Sequence, residues 1–357
     1  MRKKTIHQDR YYADVIPGLE KNAWRDIEEK LIEVELLERE WGRIYFSYSG
    51  DPGNLLHLRC VDRIYIHIRT MTGVTRSRKS LGDIFRQVRS LDLLAYSMIH
   101  KNAHRSKGKK NLTFRVYSTM DSRHNFRRID AQKSVESAIM RNYKWKMDIQ
   151  NPTIEFRIDL KNEKAIFGLK LIDEHERTEK YKIAHLPASL KPTLAYCMCL
   201  MSEPSPMDVF VDPMCGAGTI PMERTYAGPY KTLIAGDVEE GIIHTARENI
   251  ESSRRNIYLG VWDVNAIPLT ANSVDKVVCN LPFGKKIGSH LQNEEMYPDF
   301  FREMNKILKS GGMMVLLTSE KQLILGVLGN YKNMNLRQIN EINLLGTQAF
   351  IFVITVF

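Results

Sequence analysis

The second half of the chain alternates short apolar runs with amphipathic stretches, a pattern typical of a parallel β-sheet flanked by helices. Strands are predicted wherever β-branched and aliphatic residues cluster, at 207–212, 232–237, 256–263, 274–280 and 313–319. Two further strand-like runs, 335–343 and 347–357, follow the last of these. We therefore expect a doubly wound α/β domain from residue 185 onward.

The first half carries shorter patterns, which predict small α+β units. Strands are predicted over 10–16, 43–49, 61–68 and 112–119, and a hairpin turns at 161–163. Helices are predicted over 18–37, 51–58, 80–90 and 130–143. The basic stretch 100–111 is predicted to be a loop. The charged stretch 173–182 has no apolar periodicity, which predicts a linker.

The net charge of +10 lies in one half of the chain. Residues 1–180 hold 36 lysines and arginines against 25 aspartates and glutamates, whereas residues 181–357 hold 16 against 17. Within the first half, residues 101–147 carry 13 basic against 3 acidic side chains. This concentration of positive charge favours a phosphate-bearing partner, although a solvated basic surface has the same composition.

Composition argues against several other classes of protein. No apolar run approaches the roughly 20 residues that span a bilayer, and the basic start MRKKTIHQDR is not followed by the apolar segment of a signal peptide. The five cysteines show no CxxC spacing, so we expect reduced thiols and no metal site. These features predict a cytoplasmic protein without a membrane partner, and we also expect a monomer.

A glycine-containing turn follows the first predicted strand of the second half. Residues 211–219 read VDPMCGAGT, which places Asp212 at the strand end and Gly216 and Gly218 before a helix. Glycine lets the backbone pass close to a ligand, but a glycine pair alone is also typical of an ordinary tight turn. The third glycine of a dinucleotide-binding GxGxxG motif is missing, because Met222 stands near its place. A dehydrogenase is therefore disfavoured.

Acidic residues follow the next two predicted strands. Asp237 ends the second strand 19 residues after Gly218, where a carboxylate can accept hydrogen bonds from both ribose hydroxyls of a nucleoside. Asp263 and Val264 follow the third strand, where a carboxylate and a backbone amide can bind an adenine amino group. The acidic strand ends suit a positively charged sulfonium better than a diphosphate. The predicted cofactor is S-adenosylmethionine (SAM).

The fourth predicted strand ends in residues 280–284, NLPFG, at the edge where the sulfonium methyl is expected. An exocyclic amine on a planar base attacks poorly until acceptors hold its two hydrogens, and Asn280 Oδ1 with the Leu281 carbonyl can be those acceptors. Pro282 would fix the loop, and Phe283 would stack on an extruded base. The predicted chemistry is in-line methyl transfer to an amine, with Asn280, Leu281, Pro282 and Phe283 as the catalytic set.

The catalytic set contains no strong base, so proton loss to water or to a nearby carboxylate is expected after the transfer. His185 and His290 are the alternative bases, although a lone histidine is more often a structural donor.

With these residues the chain resembles the THUMP-domain tRNA (guanine-N2) methyltransferases, an archaeal and bacterial family that acts on guanosine 6 of tRNA. The resemblance extends over essentially the whole length and is carried by HLPASLKPT (185–193), by the turn at 212–219 and by 280–284. It implies a C-terminal Rossmann-like class I SAM methyltransferase sheet with a closing antiparallel hairpin, preceded by N-terminal ferredoxin-like and THUMP α+β domains.

The resemblance also implies domain limits and ligand contacts. The implied domains are ferredoxin-like (1–60), THUMP (61–172), linker (173–184) and methyltransferase (185–357). Together with the strand ends, it implies that SAM is bound by His185, Leu186, Pro187, Ala188, Ser189, Asp212, Cys215, Gly216, Ala217, Gly218, Asp237, Asp263, Val264 and Asn280. THUMP domains grip the tRNA 3′ end, and the RNA contacts expected on the basic face are Lys109, Lys110, Arg115, Arg123, Arg127, Arg128 and Lys133.

The expected function is methyl transfer from SAM to N2 of a guanosine, guanosine 6 in the tRNA acceptor stem. Leu281 departs from the family of amino methyltransferases, which often have proline at this position. Two alternatives stay open. One is an rRNA or DNA amino methyltransferase, because an Asn-x-Pro-aromatic loop also serves adenine and cytosine. The other is a noncatalytic RNA-binding protein with a vestigial methyltransferase fold.

Overall fold

The chain forms two compact units in a computed structural model that describes residues 9–105, 112–178, 181, 183–184, 186, 189–253, 255–284, 289–344 and 346–357. The N-terminal unit comprises the described part of Met1–Asp14, together with Asp26–Leu58 and Asp62–Asp173. The C-terminal unit comprises Val15–Arg25, Arg59–Val61 and Glu174–Phe357.

The N-terminal unit is built on one mixed sheet. Its strands are β1 (Asp9–Asp14), β2 (Val34–Glu40), β3 (Arg43–Tyr48), β4 (Arg63–Thr72), β5 (Thr113–Met120), β6 (Lys146–Met147), β7 (Ile154–Lys161) and β8 (Lys164–Asp173). Their order among the described residues is β2-β3-β1-β4-β8-β7-β5-β6. β5 pairs in parallel with β6 and β7, and the remaining pairs are antiparallel.

The first half contains five helical segments before β7 among its described residues. They are α1 (Glu20–Lys30), a 3₁₀ helix (Pro52–His57), α2 (Lys79–Arg89), α3 (Leu93–Ala103) and α4 (Arg128–Asn142). Asp51 caps the 3₁₀ helix, because its Oδ1 accepts from the Gly53 amide at 2.9 Å with Pro52 in the first turn. α4 packs against β5 and β7.

Three predicted segments of the first half differ from the structure. The predicted helix 18–37 ends at Lys30, and Val34–Glu40 forms strand β2 because its residues pair with β3 in antiparallel register. The predicted loop 100–111 begins inside α3, and residues 106–111 lie outside the described residues. The predicted linker starts with a short helix, α5 (Glu174–Thr178), too short to show apolar periodicity.

The C-terminal unit contains the predicted doubly wound sheet. Its strands are β9 (Val209–Asp212), β10 (Thr232–Asp237), β11 (Tyr258–Val261), β12 (Val274–Asn280), β13 (Leu308–Thr318), β14 (Met334–Leu344) and β15 (Thr347–Val356). Their order among the described residues is β11-β10-β9-β12-β13-β15-β14. The first five strands in that order are parallel, and β15 and β14 close the sheet antiparallel, which confirms the predicted hairpin.

Helices cover both faces of this sheet, as a parallel sheet requires. Besides α5 they are α6 (Pro192–Met201), α7 (Thr219–Arg224), α8 (Glu240–Ser253), α9 (His290–Ile307) and α10 (Lys321–Leu328). The larger core packs the aromatic face of α9, including Tyr297 and Phe300, against β12 and β13. A smaller core packs Ala246 of α8 against Ala235 of β10.

The described residues hold no helix that is both long and apolar enough to cross a membrane. Within the same ranges, no group of three or more His, Cys, Asp or Glu side chains is placed to bind a metal ion. All five cysteines are buried and none forms a disulfide.

Candidate active site

The strand ends named by the sequence meet at one edge of the C-terminal sheet. Asp212, Asp237 and Asn280 are the last residues of β9, β10 and β12. β9 pairs in parallel with both β10 and β12. The carboxyl ends of parallel neighbours face the same crevice, which is where open α/β sheets bind ligands.

The turn between β9 and α7, residues 212–219, is called the glycine loop here. Gly216 and Gly218 have φ angles of 52° and 79°, in the left-handed region where a side chain is strained. The loop is fastened to β10, because the Cys215 amide donates to the Gly236 carbonyl at 2.8 Å and the Gly216 amide donates to Asp237 Oδ2 at 3.0 Å. Asp237 therefore holds the loop as well as facing the crevice.

Asp212 carries a carboxyl group that is wholly buried. Its Oδ1 accepts from the Met214 amide at 3.4 Å, whereas its Oδ2 is buried and has no hydrogen-bond partner among the described residues. Burial raises the pKa of this carboxyl well above its usual value, and the charge of Asp237 adds to the rise. An unpartnered buried oxygen of this kind fits a cationic ligand that donates hydrogen bonds.

Trp262 directly follows β11 and links the ends of β9 and β10, a role that the sequence did not suggest. Its indole Nε1 donates to the Pro213 carbonyl at 3.1 Å, and its amide donates to the Asp237 carbonyl at 3.1 Å. The indole lies so close to β10 that a Cβ on Gly236 would stand 2.2 Å from Trp262 Cε2. A glycine in the strand is the local signal of this close approach.

Asp263 and Val264 follow directly after Trp262. Asp263 is exposed and its Oδ1 accepts from the Asn265 amide at 2.9 Å, whereas Val264 is buried. The remaining glycine-loop residues, Cys215 and Ala217, are also buried. The sequence therefore named residues that lie on the three neighbouring strand ends β9, β10 and β11.

The predicted cofactor segment 185–189 is described only in part. His185, Pro187 and Ala188 lie outside the described residues. Leu186 and Ser189 are half-buried, and Ser189 Oγ lies 3.5 Å from Thr219 Oγ1 at the end of the glycine loop. Asn249 of α8, which the sequence analysis missed, contacts the backbone on both sides, at Ala184 and at Ala217.

Residues 280–284, called the Asn280 loop, leave β12 at the same edge. Asn280 Oδ1 is buried and has no hydrogen-bond partner among the described residues. The Leu281 side chain is buried in the core, and its amide donates to the Leu317 carbonyl at 2.9 Å. Pro282 and Phe283 are half-buried. The loop thus holds an acceptor without a partner among the described residues, which fits the predicted amine chemistry.

His290, one of the alternative bases, lies at the first turn of α9 and is 58% exposed. Its Nδ1 lies 3.1 Å from Glu320 Oε2, and its Nε2 lies 3.3 Å from Glu294 Oε1. Both ring nitrogens therefore face carboxylates of its own chain. The other alternative base, His185, lies outside the described residues.

The expected RNA contacts in the N-terminal unit divide by their partners. Arg115 pairs with Glu155, Arg127 pairs with Asp130 at 3.4 Å, and Arg128 donates to the Ser118 carbonyl at 3.2 Å. Arg123 and Lys133 are exposed, and neither forms an ion pair with another described residue. Lys109 and Lys110 lie outside the described residues.

Comparison with known proteins finds one matching domain family in each half of the chain. The family model for the RMKL-like methyltransferase domain matches residues 179–349, and the model for the THUMP domain matches residues 78–170. The chain is similar to the tRNA (guanine(6)-N(2))-methyltransferase THUMP3 of Mus musculus, with 36% identity over 217 residues that cover 56% of this chain and 42% of that protein. This chain thus spans less than half the length of the mouse relative.

Two microbial proteins are similar over a larger share of the chain. The tRNA (guanine(6)-N2)-methyltransferase of Methanocaldococcus jannaschii is 21% identical over 365 residues, covering 88% of this chain and 91% of that protein. The crystal structure of TrmN from Thermus thermophilus superposes with a TM-score of 0.81 at 24% identity, covering 98% of this chain and 99% of that one. The second similarity confirms the predicted fold.

The residues of the methyltransferase domain fit SAM, because Asp212 has a buried carboxyl oxygen without a partner among the described residues and Asp237 ends the neighbouring strand, where a ribose is expected. The chain thus matches a THUMP domain over residues 78–170 and an RMKL-like methyltransferase domain over residues 179–349, a combination that resembles the THUMP-domain methyltransferases.

Proposed function

We propose that this chain transfers a methyl group from SAM to the exocyclic N2 of a guanosine in tRNA, guanosine 6 of the acceptor stem. One observation carries the proposal. Asp212 and Asn280 end neighbouring parallel strands, and each has a buried acceptor oxygen, Oδ2 and Oδ1 respectively, without a partner among the described residues. Asp212 suits a cation, and Asn280 suits an amine. The guanosine-specific names of the relatives from mouse and Methanocaldococcus support the choice of base.

The cofactor residues proposed from the sequence have distinct tasks. Asp212 would accept from the cationic end of SAM, and Asp237 would accept from the ribose hydroxyls, since each carboxylate oxygen can accept a second hydrogen bond. Asp263 and the Val264 amide would bind the adenine edge. Residues 185–189 and the glycine loop would enclose the middle of the molecule. SAM supplies an electrophilic methyl group when it is bound.

The Asn280 loop would prepare the amine. Asn280 Oδ1 and the Leu281 carbonyl would accept its two N–H groups, which frees the nitrogen lone pair from the ring and aims it along the reaction axis. Phe283 would stack on the guanine, and Pro282 would limit the motion of the loop. The proton would leave to water after the transfer, because the loop contains no strong base.

The tRNA itself would be held by the N-terminal unit, through its acceptor stem and 3′ end. Arg123 and Lys133 are the expected phosphate contacts, since they are exposed and unpaired within the described residues. Arg115, Arg127 and Arg128 would contribute mainly by stabilising the unit, because each already has a partner in its own chain. A cytoplasmic monomer and the domain limits predicted above are part of the same proposal.

Methyl transfer from isotopically labelled SAM to tRNA, rRNA and duplex DNA tests the proposal. We expect label in tRNA, recovered as N2-methylguanosine by nucleoside mass spectrometry. Label found only in rRNA or DNA would replace the proposed substrate by the first alternative. Failure of SAM to bind at micromolar concentrations in calorimetry would favour the noncatalytic RNA-binding protein.

A further inference from the structure

A chain of hydrogen bonds lies behind the Asn280 loop, on the side of α9 and the end of β13. The Pro282 carbonyl accepts from Tyr297 Oη at 2.8 Å and from Asn293 Nδ2 at 3.0 Å. Tyr297 Oη also lies 2.7 Å from Thr318 Oγ1, which accepts from the Glu320 amide at 3.0 Å. Two donors therefore meet at one carbonyl of the loop, and two further groups lie behind one of these donors. The sequence does not predict this arrangement.

The direction of this chain follows from the donors that each group owns. A carbonyl can only accept, so Tyr297 donates its single hydroxyl proton to the Pro282 carbonyl. The hydrogen bond between Tyr297 and Thr318 must then use the Thr318 proton, which leaves a Thr318 lone pair for the Glu320 amide. Each member can make its bond in only one way.

The chain of donors is isolated from water. Tyr297 and Thr318 are fully buried, and Asn293 is 1% exposed. Burial raises the pKa of the Tyr297 hydroxyl above its usual value, so it stays a donor at every pH where the protein is handled. The next carbonyl, that of Phe283, accepts from Ser319 Oγ at 3.0 Å. Two successive carbonyls of the loop are thus occupied by the protein.

We propose that Tyr297, supported by Thr318 and helped by Asn293, is the positioning residue that fixes the Asn280 loop in the conformation needed for methyl transfer. This inference rests on the proposed function, because it assumes that the loop holds the amine. Tyr297 acts through the Pro282 carbonyl and touches neither substrate nor cofactor. Small displacements of acceptor groups are costly in an in-line transfer, so the expected effect is on the turnover rate.

Tyr297→Phe removes the hydroxyl and leaves the ring in the core. We expect its kcat for tRNA methylation to fall about 10- to 100-fold, the size of effect that a misplacement of about 1 Å produces. The KM and Kd for SAM should stay within twofold, because the glycine loop is untouched. Tyr331→Phe is the matched control. The ring centroid of Tyr331 lies 6.0 Å from that of Phe301 on α9, and we expect this variant to keep full activity.

A second pair of variants, at Thr318, tests the same hydrogen bonds even if the Tyr297→Phe variant fails to fold. Thr318→Val cannot supply the proton to Tyr297 and should lower kcat, whereas Thr318→Ser keeps the hydroxyl and should restore it. Tyr297→Phe combined with Thr318→Val should lose no more than the worse single variant, since both break one chain.

Three outcomes would overturn the inference: a Tyr297→Phe kcat within twofold of the wild type, equal rates for Thr318→Ser and Thr318→Val, or a parallel loss of SAM affinity. The Asn280→Ala variant, measured alongside, distinguishes a failure of the proposed function from a failure of this inference. Full activity in that variant would contradict the proposed function, whereas an inactive Asn280→Ala beside a fully active Tyr297→Phe would contradict this inference alone.

Discussion

Asn249 donates its side-chain amide to the carbonyl oxygen of Ala217 at 3.0 Å, and it exchanges two further hydrogen bonds with the backbone of Ala184, at 2.9 and 3.1 Å. The side chain is 2% exposed. It therefore ties the glycine loop to the segment that leads into residues 185–189, the two backbone stretches proposed to enclose SAM. A single amide on α8 links both.

Asn249→Ala removes three hydrogen bonds that order both walls of the pocket, each worth about 1 kcal/mol. Since these bonds also stabilise the protein without SAM, we expect about half of that free energy to appear in binding, which weakens SAM binding about tenfold. Titration calorimetry with SAM measures the change. Ser252→Ala is the control, since its hydroxyl donates to the Tyr181 carbonyl one turn further along α8. Equal SAM affinity in the two variants would contradict the linking role of Asn249.

SAM affinity should rise with pH over the range in which Asp212 titrates. Burial raises the pKa of this carboxyl, so Asp212 stays protonated in the SAM-free protein to a higher pH than an ordinary aspartate. A cationic ligand favours the carboxylate, and binding should therefore release a proton. By the same sign, ionisation of Asp212 without SAM lowers the free energy of unfolding as the pH rises.

Calorimetry in buffers of different ionisation enthalpy measures that proton. Asp212→Asn should abolish the release and weaken SAM binding. Asp263→Asn should keep the release, because Asp263 is exposed. Binding of SAM to the wild type with no proton released at any pH would show that Asp212 is not the group facing the cation.

Gly236→Ala should disrupt the carboxyl edge through Trp262. The added Cβ would stand 2.2 Å from the indole, and relieving that overlap displaces the ring that holds Pro213 and Asp237. We expect a loss of about 1–3 kcal/mol in the free energy of unfolding, together with weaker SAM binding. A Cβ added at Gly241 on α8 would have no atom within 4 Å, so the control variant Gly241→Ala should stabilise the protein slightly.

Denaturant titration measures the change in stability, and calorimetry measures the change in SAM binding. Normal SAM binding by Gly236→Ala would be inconsistent with the role given to Trp262.

Charge reversal at Arg123 and Lys133 should weaken tRNA binding and lower its salt dependence. Removing a single phosphate contact lowers the slope of log affinity against log salt concentration by roughly one unit. Lys332→Glu is the control, an exposed lysine outside the basic stretch. Filter-binding titrations at several salt concentrations give the slopes. An unchanged slope in the double variant would remove these two residues from the RNA interface.

The strand ends of the site could be predicted from the sequence because a parallel sheet brings its carboxyl ends together whatever the intervening loops contain. Asp212, Asp237 and Asn280 each end an apolar run, so their placement follows from periodicity. The antiparallel closing strands followed from family resemblance and from two terminal apolar runs.

The supporting residues could not be predicted in the same way. Asn249 and Tyr297 bond to backbone carbonyls that are distant in the sequence, and no pattern of residue types specifies such a pairing. One signal was available: Asn293 and Tyr297 lie four residues apart on the apolar face of α9, where a polar side chain needs a partner. Strand β2 was missed because its sequence, VELLERE, also suits a helix, and pairing with β3 decides the outcome.

The central claim is that Asn280 holds the guanine amine while Asp212 and its neighbours hold SAM. Its most direct test is single-turnover methylation of tRNA by Asn280→Ala, with SAM affinity measured on the same preparation. We expect wild-type protein to form N2-methylguanosine at position 6, and Asn280→Ala to bind SAM with nearly unchanged affinity but to form none. Undiminished formation of N2-methylguanosine by Asn280→Ala would contradict the account.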